Sequence, residues 1–310
     1  MTGRTPLVVG SAGGLVAVID PDAGGRILSL TSGAPGSRFE WLAADGGSAP
    51  ASDAGSIPFV RDGMGGWDEV VPSVSSDVLP SGVVIPDHGD AWNTPWRVVG
   101  AEQASASSDR LDSLTLELAL TSLPVTLRRT VVVSGAGLEL RYSASTTSAR
   151  PIALLWSAHP QFVATPGSVV AVAVDGVPVH PALVEEYPQR GVSRMWNEVA
   201  GAGLPPRGQS LKVFVDPDNH TPHSGEGFAV DSATLRHGAG PALTLAWDAG
   251  ELPYLGLFWD NAEFAGNAII ALEPSTAFGD SLRAAESAGR VLSVSRQRPL
   301  VWALRVSVDA

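Results

Sequence analysis

Residues 113–146 read SLTLELALTSLPVTLRRTVVVSGAGLELRYSAST, and this stretch decides the fold class. Leucines occupy every second position of Leu114–Leu120, and Leu138, Leu140 and Tyr142 repeat that spacing. A period of two places one apolar face against a core, as in a half-buried β-strand. Between the two runs lies the β-branched segment 126–133, which the turn residues Ser-Gly-Ala-Gly join to the next strand. We therefore predict three successive strands here.

The rest of the chain extends this β pattern. Further strands are predicted at Val169–Val174, Leu211–Val215, Ala242–Trp247, Leu255–Trp259, Ala268–Leu272, Val291–Ser295 and Leu300–Val308. With 34 Gly and 24 Pro, long helices are excluded, and Ser281–Ser287 is the best short helix. We predict an all-β chain in which residues 1–310 form one large antiparallel β-sandwich. Polar loops at Ala43–Ser56, Pro188–Gly208 and Pro217–Gly227 suit the rim of a cleft.

Composition excludes several classes of function. Twenty basic against 32 acidic residues, a net charge of −12, argue against nucleic acid and anionic membranes as partners. The absence of cysteine excludes disulfides, Cys-ligated zinc, iron–sulfur clusters and thiol nucleophiles. The first apolar run, Leu7–Ile19, is short and broken by Gly and Ser, unlike a signal peptide, so we expect a cytoplasmic protein.

Three apparent motifs have simpler interpretations. Gly279-Asp280-Ser281-Leu282 spells a hydrolase signature, but no histidine follows His237, so we interpret it as a turn after Glu273. The glycine-rich segment 10–14 lacks the GxGxxG spacing of dinucleotide-binding loops. His220 and His223 could hold a metal, but Pro222 between them favours a solvated loop. We therefore predict neither a metal nor a cofactor.

Three other segments each place an acid/base side chain beside an apolar stretch. They read IPDHGDAW (85–92), LLWSAHPQF (154–162) and AIIALEP (268–274). In the second, Pro160 is expected to stop the strand directly after His159, and in the third Pro274 follows Glu273. Taken singly, each residue has a structural explanation. Together, His88, His159 and Glu273 are what a metal-free acid/base site requires.

At these segments the chain resembles the aldose 1-epimerase family, the galactose mutarotases. The similarity rests on His159-Pro160-Gln161-Phe162, Leu272-Glu273-Pro274 and His88-Gly89, in the family's order, and on Gly24-Gly25-Arg26-Ile27 near the start, so it spans almost the whole chain. The resemblance implies a galactose mutarotase-like supersandwich. It also implies that Glu273 is the general base, that His159 is the general acid and that His88 binds the sugar. The mechanism then needs an ionised Glu273 and an imidazolium at His159 near neutrality, which a nearby carboxylate would favour.

The chain departs from the family at one position. Typical members have an arginine–asparagine pair ahead of the His-Gly motif, whereas residues 65–72 read GGWDEVVP. This departure resembles a divergent epimerase-like branch and puts the substrate in doubt. Arg61 or the only lysine, Lys212, could replace the arginine, although we expect Lys212 to be a solvent-facing strand residue.

The expected reaction is interconversion of the α and β anomers of a neutral free aldose, by a monomer or a dimer. The predicted substrate-binding residues besides His88 are Trp67, Glu69, Trp92 and Trp259. For the three tryptophans, the reason is that an indole packs well on the apolar face of a pyranose. Phosphorylated sugars are disfavoured because no candidate segment holds two basic residues.

Two alternatives stay open. The first is a non-catalytic carbohydrate-binding protein on the same fold. The second is a glycoside-cleaving enzyme or lyase, in which a second carboxylate would have to pair with Glu273. The candidates for that carboxylate are Asp68, Glu69, Asp87, Asp90 and Asp260.

Overall fold

The structure, a computed structural model, describes residues 5–34, 36–44, 58–62, 64–103, 109–200, 203–218 and 227–309. Its regular structure is almost entirely antiparallel β. In chain order the strands are β1 (Leu7–Gly10), β2 (Val16–Asp20), β3 (Arg26–Ser32), β4 (Phe39–Glu40), β5 (Trp67–Val70), β6 (Asp77–Val78), β7 (Val84–Ile85), β8 (Arg97–Glu102), β9 (Ser113–Ala119), β10 (Val125–Ser134), β11 (Gly137–Thr146), β12 (Ile152–Ala153), β13 (Ser157–Val163), β14 (Ser168–Val174), β15 (Val177–Val179), β16 (Leu183–Tyr187), β17 (Ser193–Arg194), β18 (Gln209–Val215), β19 (Ser232–His237), β20 (Ala242–Ala246), β21 (Tyr254–Asn261), β22 (Ala268–Ser275), β23 (Ser293–Val294) and β24 (Leu300–Asp309). The helices are α1 (Pro58–Asp62), α2 (Trp196–Val199) and α3 (Leu282–Ser287).

Two large sheets form the fold. The site sheet has the order β1-β2-β3-β5-β13-β22-β21-β18-β16-β17, with β4 beside β3. The back sheet has the order β15-β14-β19-β20-β24-β11-β10-β9-β8. Two short pairs of strands, β6 with β7 and β12 with β23, lie outside the two large sheets. The predicted all-β class and antiparallel sandwich are confirmed.

The alternating stretch that predicted the fold forms the middle of the back sheet. Strand β10 pairs with β9 on one side and β11 on the other, so Val131 lies opposite both Leu114 and Leu140. These three side chains are fully buried. The leucine face therefore packs inward, as the period of two predicts.

Most of the other predicted elements are also present. The strands at 169–174, 211–215, 242–247, 255–259, 268–272 and 300–308 are confirmed, and the strand at 291–295 shortens to two residues. Helix α3 is confirmed, with Ser281 as its N-cap, because the Ser281 hydroxyl accepts a hydrogen bond from the Ala284 amide. The expected loop 188–208 contains β17 and α2. Most of the loops at 43–56 and 217–227, with His220 and His223, lies outside the described residues.

Both strand ends expected at prolines are wrong, since β22 also continues through Pro274 to Ser275. Strand β13 does not stop at Pro160 but continues to Val163. Pro160 lacks an amide hydrogen. It nevertheless keeps an extended conformation, and its Cα pairs with that of Trp67 on β5. His159 therefore lies inside a strand rather than at its end.

A buried ionic group joins the two sheets. Glu69 of β5 accepts hydrogen bonds at Oε1 from Arg129 Nη1 of β10 (2.7 Å) and from the Tyr142 hydroxyl of β11 (2.8 Å). Its Oε2 accepts from Trp156 Nε1 at 2.8 Å. Both Glu69 and Arg129 are fully buried. The charges are thus paired in the core, where an unpaired charge would be costly.

No helix among the described residues has the length and apolar character needed to cross a membrane.

Candidate active site

A pocket of about 180 Å³ lies on the face of the site sheet that points away from the back sheet. Apolar walls and a cluster of ionisable groups share its lining. The lining residues are Phe59, Val60, Met64, Val74, Ser75, Asp87, His88, His159, Tyr187, Lys212, Phe258, Phe264, Glu273 and Asp280. A concave, mostly apolar site with a few converging polar groups is typical of small-molecule binding.

His159 and Glu273 lie opposite each other on neighbouring strands. Strands β13 and β22 pair at Ser157 with Ser275 and again at Gln161 with Ala271, so the register between these pairs puts His159 across from Glu273. Residues opposite one another in an antiparallel pair point to the same face. His159 Nε2 is 3.9 Å from Glu273 Oε1, and both side chains are at least 90% buried.

Two prolines explain why the hydrogen bonding between β13 and β22 is interrupted beside His159 and Glu273. Pro160 follows His159 and Pro274 follows Glu273, and neither has an amide hydrogen to donate across the strand pair. No paired positions occur between Ser157 and Gln161 on this side of β13. The two prolines that suggested strand ends from the sequence thus mark the gap beside the acid/base pair.

Glu273 has a cationic neighbour on its other side. Lys212 Nζ of β18 lies 2.8 Å from Glu273 Oε2 and 2.7 Å from Asp280 Oδ1. Lys212 is 6% exposed, so the expectation that it faces solvent is wrong. Arg61, the other candidate for the missing arginine, is exposed and pairs with its neighbour Asp62. Lys212 is therefore the cation of this pocket.

The surroundings shift the pKa values of Glu273, His159 and Lys212. Burial raises the pKa of Glu273, although the charge of Lys212 partly offsets that effect. Burial, reinforced by His88 and Lys212, holds the pKa of His159 well below its usual value. For Lys212, burial alone would lower the pKa, but Asp280 and Glu273 outweigh it and raise the pKa above its ordinary value.

The His159 shift runs against the expected imidazolium. The carboxylate of Glu273 is near enough to favour the charged ring, but burial dominates. At neutral pH the ring is therefore neutral, with one ring nitrogen carrying a proton and the other free to accept one. A neutral imidazole can still donate its single N–H to a substrate oxygen.

His88 is brought to the same pocket by an unusual backbone turn. Its φ is +56°, and the following Gly89 has a φ of +71°. A Cβ on Gly89 would lie 2.0 Å from the Val71 carbonyl oxygen, so only glycine fits. The His88 ring stacks on Phe59 with centroids 3.8 Å apart, and its Nδ1 lies 3.0 Å from Asp87 Oδ2. The His88 and His159 ring centroids are 5.6 Å apart.

Three of the predicted substrate-binding residues do not reach the pocket. Side chains alternate between faces along a strand, so Asp68 shares the face of His159 while Trp67 and Glu69 point into the core. For the same reason Phe258, and not Trp259, lines the pocket. We therefore remove Trp67, Glu69 and Trp259 from the site.

The fourth predicted residue, Trp92, lies next to the pocket but does not line it. It is 6% exposed and contacts Phe59 edge to face, with ring centroids 5.2 Å apart. Its Nε1 donates to the Asp87 carbonyl oxygen at 3.3 Å. Trp92 thus supports the residues that line the pocket without lining it.

The structure also shows which of the carboxylates that might pair with Glu273 line the pocket and which are bound to other groups. Asp68 binds Arg26, Asp90 accepts from the amides of residues 121 and 122, and Asp260 accepts from Ser210 and from the amides of residues 263–265. Of the five candidates, Asp87 alone lines the pocket. Asp280, which the sequence pattern placed in a simple turn, lines it as well.

The described residues contain no group of three or more His, Asp or Glu side chains that could hold a metal ion. Three buried atoms of the facing pair, Nδ1 of His159 and both carboxylate oxygens of Glu273, form no hydrogen bond of good geometry among the described residues, although Lys212 Nζ lies 2.8 Å from Oε2. Buried polar atoms are rarely left unpartnered, so Oε1, which has no such cation beside it, marks where a polar ligand would bind.

The chain matches no protein-family model and no curated protein sequence. It is similar in structure to a candidate aldose 1-epimerase from Escherichia coli K12, with a TM-score of 0.68 and 16% identity over 98% of this chain and 99% of that one. A galactose mutarotase-like protein from Lactobacillus casei ATCC 334 gives a TM-score of 0.62 and 16% identity over 98% and 100%. A candidate aldose 1-epimerase from Klebsiella pneumoniae gives 0.67 and 14% over 99% and 81%. At this identity the similarity shows a galactose mutarotase-like fold.

Proposed function

We propose that the protein is an aldose 1-epimerase-like isomerase that interconverts the α and β anomers of a neutral free aldose. The observation behind this proposal is the facing pair: His159 and Glu273 point into one pocket from adjacent strands, with Nε2 and Oε1 3.9 Å apart. A substrate that binds over this gap can contact both groups at once. Acid/base catalysis needs that geometry before anything else.

The proposed proton transfers need an ionised Glu273 and a His159 ring that is protonated on both nitrogens, the form that its lowered pKa makes the minor one at neutral pH. Glu273 Oε1 takes the proton from the anomeric hydroxyl while the doubly protonated His159 ring gives a proton to the ring oxygen and becomes neutral, and the bond between C1 and the ring oxygen breaks. The open-chain aldehyde rotates about C1–C2. The ring oxygen then attacks the other face of the carbonyl carbon, and the two protons return to their donors. No net proton or electron is consumed.

The charge of the pocket supports an uncharged substrate. Among the described lining residues, Glu273, Asp87 and Asp280 are acidic and Lys212 is the one lysine or arginine, and it already contacts two of these carboxylates. Sugar phosphates are bound by clusters of Arg or Lys, and the described lining contains no arginine. The apolar rings of Phe59, Phe258 and Phe264 suit the C–H face of a pyranose.

Polarimetry tests the proposal directly. Freshly dissolved α-glucose and α-galactose, and then a panel of other aldoses, are followed with and without the protein. We expect faster decay of the optical rotation, reduced roughly 10²- to 10⁴-fold in Glu273→Gln and in His159→Asn. Thermal unfolding of each variant shows whether the fold is retained. Full activity in both folded variants would refute the assignment.

A second candidate function is sugar binding without catalysis. The neutral state of His159 and the absence of an arginine from the described pocket lining favour it. Trp92, one ring away from the pocket, provides a fluorescence signal for binding. Saturable quenching by a sugar whose mutarotation the protein does not accelerate would support the binding-only function.

A further inference from the structure

Lys212 reaches Glu273 across an intervening strand. Lys212 lies on β18 and Glu273 on β22, and β21 runs between them. The β21 residue opposite Glu273 is Gly256, whose lack of a side chain leaves room above the strand. Glu273 Oε2 and the Phe214 ring border this space, and the Lys212 ammonium group lies 2.8 Å from Oε2.

The contact makes the two oxygens of Glu273 unequal. Neither oxygen forms a hydrogen bond of good geometry among the described residues, but Oε2 forms an ion pair with Lys212 Nζ at 2.8 Å, whereas Oε1 is 3.9 Å from His159 Nε2. Asp280 completes the arrangement by holding the ammonium from the other side at 2.7 Å. We propose that Lys212 is a positioning residue that fixes Glu273 through Oε2, stabilises the carboxylate by its charge and leaves Oε1 as the oxygen that accepts the substrate proton.

This inference rests on the proposed function for its catalytic consequence, but the contact itself can be tested without a substrate. The groups that face Glu273 are Lys212 from β18, His159 from β13, His88 from the loop after β7, and Asp280 from the loop before α3. Beyond them, Asp87 adjoins His88 and Glu186 adjoins Asp280.

Among these charged neighbours, Lys212 has the largest effect on the pKa of Glu273. Burial and the charge of Asp280 raise the pKa of Glu273, and Lys212 provides the largest opposing effect, followed by His88. A cation within about 4–6 Å lowers the pKa of a carboxyl group by roughly one to three units. Without Lys212, the pKa of Glu273 would rise further, which would make the carboxylate a less available base.

The first arm of the test uses the fact that Lys212 is the only lysine of the chain. Protein labelled with [15N]lysine gives one side-chain ammonium signal, which needs no assignment. We expect this signal to shift with pH in one step as Glu273 titrates. The step should disappear in Glu273→Gln and should move to lower pH in Asp280→Asn. A step that persists unchanged in Glu273→Gln would overturn the proposal.

The second arm is the pH profile of kcat/KM for mutarotation. Lys212→Met should move the acid limb upward by roughly one to three pH units, so that activity lost at pH 7 is partly regained at pH 9. Arg190→Met is the matched control, because Arg190 is an exposed cation that pairs with Glu186 rather than with Glu273. In Arg190→Met, the acid limb of the pH profile should lie at the same pH as in the wild type.

A merely structural role for Lys212 predicts a different result, namely an equal loss of activity at every pH with the limb unmoved. That outcome would overturn the proposal. If Lys212→Met does not fold, Lys212→Met/Asp280→Asn removes one carboxylate together with the cation, and its limb should still lie above that of the wild type. If the wild-type protein accelerates no aldose, the proposed function fails, while the ammonium titration still decides whether Lys212 senses Glu273.

Discussion

Gly256 lies directly opposite Glu273 on the neighbouring strand, and a Cβ at Gly256 would be 3.1 Å from Glu273 Oε2. The same Cβ would be 3.2 Å from the Phe214 ring. Both distances are shorter than ordinary contacts between carbon or oxygen atoms. The carboxylate therefore keeps its place because this strand residue has no side chain.

Gly256→Ala should displace the Glu273 carboxylate from Lys212. We expect kcat for mutarotation to fall roughly ten- to a hundredfold, because a small misplacement of a catalytic group has effects of this order. Gly100→Ala, in the back sheet, is the control, since its Cβ would meet Thr115 at an ordinary 3.5 Å. Equal kcat values in the two variants would show that the space at Gly256 is not needed.

Arg129→Met should destabilise the protein without acting through the pocket. The change leaves Glu69 buried without its counter-charge, which costs about 3–5 kcal/mol of unfolding free energy. The adjacent Arg128 provides the control: its side chain is exposed and pairs with Glu117 on the other face of the sheet. Arg128→Met should cost about 0–1 kcal/mol. Urea denaturation measures both, and similar losses in the two variants would contradict the prediction.

Glu186 should make stability depend on pH. Burial, helped by Asp280, raises its pKa to about 7 in the folded protein. Between its ordinary pKa, roughly 4.3, and 7, the folded state keeps a proton that the unfolded state releases. Its contribution to stability is therefore complete below the lower value and is lost as the pH rises to about 7.

Glu186→Gln removes this contribution, since glutamine does not titrate. The unfolding free energy of the variant minus that of the wild type should increase from about pH 4.5 to pH 7 and stay level above about pH 8. Chemical denaturation at several pH values measures the difference. A difference that is constant with pH, or that decreases, would be inconsistent with a raised pKa at Glu186.

The sequence predicted the fold class well because it rests on local periodicity. Leu114–Leu120 and the glycine turn at 134–137 encode strands and a hairpin within about thirty residues. His88, His159 and Glu273 were also predicted, and the structure brings all three to one pocket. Their short motifs contain the backbone features, glycine and proline, that place them.

The remaining pocket residues depend on contacts distant in sequence. Lys212 and Asp280 are each recognisable only once β18, β21 and β22 are aligned, since nothing in their own segments distinguishes them from a solvent-facing strand residue and a turn. Phe59 stacks directly on His88, but it lies on the short helix α1, which no periodic pattern in the sequence predicts. Trp67, Glu69 and Trp259 were assigned to the site by proximity in sequence, whereas the alternation of faces along the strand places them in the core.

The alternation in β5 also restricts how this chain can change. Asp68 and Glu69 are adjacent, yet one faces His159 on the pocket side and the other binds Arg129 between the sheets. A one-residue insertion or deletion within the strand would exchange the two faces. It would present Glu69 to the pocket and replace its contact with Arg129 by the shorter Asp68 side chain. We therefore expect length changes during divergence to fall in the loops and Trp67–Val70 to serve as a reference point for aligning distant relatives.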